Sequence, residues 1–237
     1  MIPSTGVIIP SAGKGSRMDS LQPKQLLEIG SVTVLGHTID RILQIESVRH
    51  LVIPVSADLE ARIRDIAKHS MEAAGKTGRV SLSLVPGGAE RMHSVRNGLL
   101  ALMDTDAELV MVHDAVRPCF PFDAVIRTLK TAASEGAAIL AVPARDTVKL
   151  VDEYQKITST PDRSKVWLAQ TPQIFRKQIL FDACEKANDS NFVATDDASL
   201  VECADYPVFV IEGSQDNIKI TYPSDLYFAE NWLKKNK

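Results

Sequence analysis

Gly6-Val-Ile-Ile-Pro10 runs straight into Ser11-Ala-Gly-Lys-Gly-Ser-Arg17-Met18, and Pro23-Lys24-Gln25 follows shortly after. The apolar stretch reads as a buried strand. The loop behind it holds Gly13 and Gly15 and, counting Lys14, Arg17 and Lys24, three cations within eleven residues. A glycine-rich turn at the carboxyl end of a first parallel strand is where open α/β sheets bind phosphorylated ligands. Glycines there permit close backbone approach, so amide N–H groups can face a polyphosphate. The loop is neither of the two common phosphate loops. Met18 stands where a dinucleotide fingerprint needs its third glycine, and the GxxxxGK[ST] spacing is absent.

Working outward, further short apolar runs follow the same rhythm. His50-Leu-Val-Ile-Pro-Val55, Val80-Ser-Leu-Ser-Leu-Val85, Glu108-Leu-Val-Met-Val-His113, Ala137-Ala-Ile-Leu-Ala-Val142 and Val208-Phe-Val-Ile211 all read as strands. Their continuous apolar character suits strands covered on both faces, as in a parallel sheet. Between them, apolar residues recur at spacings of three and four, the helix period. This predicts helices over 34–45, 58–71, 90–103 and 122–134 and, later, over 176–187, 196–203 and 223–235. Repeated strand–helix alternation argues for an α/β, Rossmann-like doubly wound, mostly parallel sheet. The rhythm breaks after Pro143. Asp146-Thr-Val-Lys-Leu-Val-Asp152 alternates polar and apolar, the mark of a half-exposed strand. Residues 145–169 therefore read as a β-arm, an excursion off the sheet, within a single domain over 1–237.

Composition excludes several classes. Lys+Arg 27 against Asp+Glu 30 leaves a net charge of −3, so no basic excess exists to coat nucleic acid. No apolar run reaches the ~18 residues of a membrane helix. The start lacks the basic and apolar regions of a signal peptide. Cys119, Cys184 and Cys203 are odd in number and widely spaced, which argues against a disulfide framework or structural zinc. The expected setting is the reducing cytoplasm.

Several other residues can carry chemistry. His113-Asp114-Ala-Val-Arg117-Pro118 ends the fourth strand. Asp114 there suits Mg²⁺ or a ligand hydroxyl, and Arg117 suits an anionic ligand; each also suits a cap or a surface ion pair. His113 reads as a packed strand residue rather than a base. Gly87-Gly88-Ala-Glu-Arg91, with Ser94 one turn on, lets a flat base lie against the backbone, or simply opens a helix. Lys219, in Asp216-Asn-Ile-Lys219, can return positive charge to the phosphate loop. Arg163 lies on the arm, where it reads as an exposed turn residue or as a group serving a neighbouring subunit.

The ordered set GxGxRM, PKQ, GGxxR, HDAxRP, DTVK, DR, TPQxF, TDDAS and NIKIT spans nearly the whole chain. It resembles the 2-C-methyl-D-erythritol 4-phosphate cytidylyltransferases of the non-mevalonate isoprenoid pathway. The resemblance implies a cytidylyltransferase fold, CTP as substrate with Mg²⁺ or another divalent cation, and a homodimer joined by the arms. It also implies roles. Arg17 and Lys24 match residues that bind the triphosphate and stabilise the transition state. Lys219 matches the lysine near the α-phosphate, and Arg163 matches the arm arginine that crosses to the partner's substrate phosphate. Thr147, Thr171 and Thr195 match the polyol phosphate pocket, and Asp114 and Arg117 the nucleotide and polyol site. Ala12, Gly13, Gly15, Gly88 and Ser94 match the nucleotide loops. Asp114 and Asp216 are the candidates for metal proximity, with phosphate oxygens giving most of the coordination.

Val116 stands where the family usually has alanine, a feature shared with ribitol-5-phosphate cytidylyltransferases, and Ala89 replaces a frequent acid. The rival readings are that ribitol enzyme, a sugar-1-phosphate nucleotidylyltransferase, a nicotinamide-dependent oxidoreductase and a non-catalytic nucleotide sensor. Met18 argues against the oxidoreductase. A sensor would not need Arg17, Lys24 and Lys219 together.

Overall fold

The computed structural model describes residues 1–13, 22–190 and 192–236. In chain order the strands and helices are β1 (Thr5–Ile8), β2 (Glu28–Ile29), β3 (Val32–Thr33), α1 (Val34–Ile42), β4 (Val48–Val55), α2 (Glu60–Ala73), β5 (Ser81–Pro86) and α3 (Arg91–Leu100). Then come β6 (Leu109–Val112), α4 (Phe122–Glu135), β7 (Ala137–Pro143), β8 (Leu150–Val151), β9 (Ile157–Ser159), β10 (Trp167–Arg176), α5 (Lys177–Ser190), α6 (Asp197–Cys203), β11 (Phe209–Glu212) and α7 (Pro223–Lys235). Among the described residues the main sheet has the order β11-β7-β10-β6-β1-β4-β5. Every pairing in it is parallel except those of β10, which runs antiparallel to both β6 and β7.

The period of two along each strand divides the core. Val7, Leu51, Met111, Leu140 and Ile174 face one side and meet Leu35 and Ile39 of α1, Ile63 of α2 and Leu129 of α4. Ile8, Val52, Val110, Ile139 and Phe175 face the other and meet Leu99 of α3, Leu180 of α5 and Leu200 of α6. Helices thus cover both faces, as the continuous apolar strands require. Each such fully buried aliphatic side chain contributes about 1.5–3 kcal/mol. A third, smaller cluster of Ile29, Val34, Cys119, Ile220, Ala229 and Leu233 docks α7. Beside it the Arg41 guanidinium stacks between Phe120 and Trp232, 4.9 and 4.8 Å from their ring centroids.

The expected strands and helices all appear, with ends moved by a few residues, and the last helix spans 223–235 as expected. Two differences matter. Strand structure within 146–152 is confined to Leu150–Val151, both exposed, which form a small hairpin with β9. And β10, which no expectation placed, begins at Trp167, within the stretch assigned to the arm. It passes between β6 and β7 at the centre of the sheet.

Candidate active site

The parallel strands deliver their loops to one end of the sheet, at the point where the order turns from β1 toward β4 on one side and β6 on the other. Crevices for ligands form there in open α/β sheets. A cleft of about 780 Å³ opens at that end. It is lined by 10–13 after β1, 88–91 and Ser94 after β5, 114–116 after β6, 219–221 before α7, and Lys24 and Gln25.

Local chemistry holds each wall. Pro23 leads into a single 3₁₀ turn over Lys24–Leu26. The buried Gln25 donates from Nε2 to the carbonyl oxygens of Ser11 (2.9 Å) and Gly13 (3.3 Å), which pins the first loop. Lys24 Nζ donates to Thr221 O at 3.0 Å and so spans from this turn to the opposite wall. Gly87 presses the second loop against the first: a Cβ there would lie 2.2 Å from Ala12 Cβ. A Cβ on Gly88 would lie 2.2 Å from His93 Cβ. The Gly88 amide instead donates to Ser94 Oγ at 3.0 Å, which fixes the turn into α3.

Asp114 is the electrostatic centre. It is 8% exposed, and its backbone amide donates to Thr171 Oγ1 at 3.0 Å. Its Oδ1 lies 3.4 Å from Arg91 Nε, and its Oδ2 lies 3.3 Å from Arg117 Nε and 3.0 Å from Lys219 Nζ. Burial alone would raise its pKa, but Arg91, Lys219 and Arg117 hold the carboxyl well below the usual carboxylate range. Arg117 also donates to Asn217 O at 2.6 Å. The fully buried Asn217 donates to Thr171 O at 2.9 Å and to Gln170 Oε1 at 3.2 Å, which places Lys219 two residues on. Arg91 makes a second ion pair, Nη1 to Asp197 Oδ2 at 2.7 Å. Asp197 is fully buried, and burial pushes its pKa up against the opposing effect of Arg91.

The structure therefore brings together Ala12, Gly13, Lys24, Gly88, Ser94, Asp114 and Lys219 on one cleft. Arg117 and Thr171 lie directly behind, both bonded to Asp114. Thr147, Arg163 and Thr195 are exposed and lie away from the cleft walls. Arg163 donates to Arg145 O at 2.7 Å within the arm. Gly15 and Arg17 fall outside the described residues. The two candidates for metal proximity stand differently. Asp216 is exposed and does not line the cleft. Asp114 spends its oxygens on three cations, and among the described residues no three His, Cys, Asp or Glu side chains gather to hold an ion. This donor set does not fit a divalent cation held by the protein.

His113, directly after β6, is a packed residue, as expected. It is fully buried and its Nε2 lies 3.0 Å from Arg117 O. Burial pushes its pKa down to about 4. Sequence reasoning gave no role to Gln25, Asn217, Arg91 or Asp197. The one available signal was Asp197 itself, an acid at the start of an apolar helix, which once buried must find a cation elsewhere in the chain.

A family model for 2-C-methyl-D-erythritol 4-phosphate cytidylyltransferase matches residues 5–235. A protein of that name from Syntrophus aciditrophicus is 42% identical over 237 residues, 100% of this chain and 99% of its own. One from Haemophilus influenzae is 39% identical over 230 residues, 97% and 96% of the two chains. The crystal structure of 4-diphosphocytidyl-2C-methyl-D-erythritol synthase from Anaerococcus prevotii is similar with a TM-score of 0.83 and 32% identity, covering 98% and 99%. That of the cytidylyltransferase from Thermus thermophilus gives 0.73 at 30% identity, covering 97% and 98%.

Proposed function

The chain belongs to the 2-C-methyl-D-erythritol 4-phosphate cytidylyltransferase family, and we propose that Arg17, Lys24 and Lys219 supply the positive charge its reaction needs. The reaction is the transfer of CMP from CTP to 2-C-methyl-D-erythritol 4-phosphate in isoprenoid precursor biosynthesis. A phosphate oxygen of the polyol attacks the α-phosphorus. The bond from that phosphorus to the bridging oxygen breaks, and pyrophosphate leaves with the electron pair.

The nucleophile needs no protein base. A phosphate monoester with a second pKa near ~6 is largely dianionic at neutral pH. The neutral, enclosed His113 is consistent with that. The obstacle is an anion approaching a polyanion, so positioning and charge neutralisation carry the rate. Lys24 and Lys219 reach the cleft from opposite walls, and that convergence beside Asp114 is the observation that carries the reading. Their ammonium groups meet the charge that develops on the leaving pyrophosphate. The loops with Ala12, Gly13, Gly15, Gly88 and Ser94 receive the nucleotide. Asp114, charged and fixed, accepts from a ligand hydroxyl, and Arg117 and Thr171 set its place. A divalent cation, which the resemblance implies, would add charge neutralisation and would be held mostly by phosphate oxygens rather than by these side chains.

Thr147, Thr195 and Arg163 belong to the polyol phosphate pocket, Arg163 reaching it from a second subunit through the arm at about 145–169. On this reading the chain is a single nucleotidyltransferase domain over 1–237 that works as a cytoplasmic homodimer. Among the described residues no helix is long and apolar enough to cross a membrane, and the three thiols are free. The test is pyrophosphate release with CTP and Mg²⁺. Methylerythritol 4-phosphate should react and ribitol 5-phosphate should not. Lys24→Ala should lower kcat by roughly two to four decades. Reaction with ribitol 5-phosphate alone, or an undiminished Lys24→Ala, would overturn the reading.

A further inference from the structure

Two residues remain without a part in that reaction: Arg91, which closes Gly87-Gly88-Ala-Glu-Arg91, and Asp197, within Thr195-Asp-Asp-Ala-Ser199. They come from opposite halves of the chain and meet at 2.7 Å, Arg91 Nη1 to Asp197 Oδ2. Asp197 is fully buried, and its Oδ1 has no hydrogen-bond partner among the described residues. A carboxylate so enclosed is tolerated only with a cation fixed against it. The same guanidinium turns its Nε to Asp114 Oδ1 at 3.4 Å. One side chain thus spans two carboxylates, one sealed beneath α6 and one facing the cleft.

The other oxygen of Asp114 faces Arg117 and Lys219. Two carboxylates therefore stand against three cations, leaving one positive charge in excess. Lys219, the cation with a half-exposed side chain, carries it at the cleft. As Lys219 turns toward a substrate phosphate, its hold on Oδ2 weakens. Asp114 is then left with Arg117 at Oδ2 and with Arg91 at Oδ1, the one contact that is itself anchored from the enclosed side.

We propose that Arg91, anchored by Asp197, is a positioning residue of the reaction: it fixes Asp114 so that Lys219 can turn to substrate without taking the carboxylate with it. This rests on the reading that Asp114 and Lys219 face the ligands. The fork of an arginine suits the task, because Nη1 and Nε address two acids at once, whereas a lysine brings a single point of charge.

The test is a double-mutant cycle read as kcat/KM for CTP and for methylerythritol 4-phosphate. Arg91→Gln and Asp114→Asn should each lower kcat/KM by about 10- to 100-fold, the scale of a misplaced reacting group. The double variant should be no slower than Asp114→Asn alone. Arg91→Lys should be as slow as Arg91→Gln. Because Arg91→Gln strands a buried charge, Arg91→Gln with Asp197→Asn removes both together; it should melt near the wild type and still be slow. Multiplying losses in the Arg91/Asp114 double variant would overturn the inference and leave the site reading intact. So would wild-type kcat/KM in Arg91→Lys or in the Arg91/Asp197 pair. Full activity in Asp114→Asn would overturn both.

Discussion

His113 sits with its ring edge-on to Phe120, centroids 5.0 Å apart, and shows what a buried imidazole costs. Its Nε2–H donates to Arg117 O at 3.0 Å, while Nδ1 is buried without a partner among the described residues. Enclosure lowers its pKa from 6.5 to about 4. Protons therefore prefer the unfolded chain between those values. Stability should fall as pH drops from 6.5 toward 4 and level off below, with this residue contributing a loss of roughly 3 kcal/mol. Urea denaturation at pH 7 and pH 4.5 should show a smaller loss in His113→Gln than in the wild type. An equal loss in both would contradict the buried neutral imidazole. Asp114 pulls in the opposite sense to its own burial, since its cations keep it charged throughout that window.

At the scale of elements, α6 depends on a residue outside itself. Gln173 of β10 donates from Nε2 to Asp196 Oδ2 at 2.7 Å, and its Oε1 accepts from the Ala198 amide at 2.9 Å. Asp196 in turn caps the helix by accepting from Ser199 N at 2.9 Å. Gln173→Leu should cost about 2–3 kcal/mol, read as a lower urea midpoint, because it strands buried polar groups at a helix start. An unchanged midpoint would show that α6 is held by packing alone. β10 is also the element that was illegible in the sequence. The strands that alternate apolar faces over two cores announced themselves, and so did helices with a three-and-four spacing. Gln170-Thr-Pro-Gln173 looks like a turn, since proline and polar residues rarely fill a central strand. They do so here because each buried polar group meets one specific partner: Asn217 for Gln170, the Asp114 amide for Thr171, α6 for Gln173. Such pairs leave no periodicity. The same holds for Arg91 and Asp197. Gly13, Lys24, Asp114 and Lys219 were legible as cleft residues because glycines and charges beside strand ends have few other uses.

Across the whole molecule, the arm is one place where apolar side chains stand exposed together. Leu150, Val151, Tyr154 and Ile157 are 52%, 53%, 83% and 57% exposed. Apolar side chains gathered on one hairpin mark an interaction surface. On the proposed homodimer, Tyr154→Asp should lower the mass seen in sedimentation from twice 25.9 kDa to 25.9 kDa, with the circular dichroism unchanged. An unaltered mass would rule out the arm tip as the dimer contact. Arg163→Ala should raise KM for the polyol phosphate far more than for CTP; equal effects would place Arg163 outside that pocket. The position of β10 also bears on birth at the ribosome. Among the described residues β7 pairs with β10 and β11 alone, and both are synthesised after it. β6 has β1 on one flank and waits for β10 on the other. The 64 residues that follow Val112, up to and including Arg176, take roughly 3 to 13 s to emerge at ordinary elongation rates. Throughout that interval the nascent chain carries an unfinished hydrogen-bonding edge through what will become its middle, open to any neighbouring polypeptide on the same message.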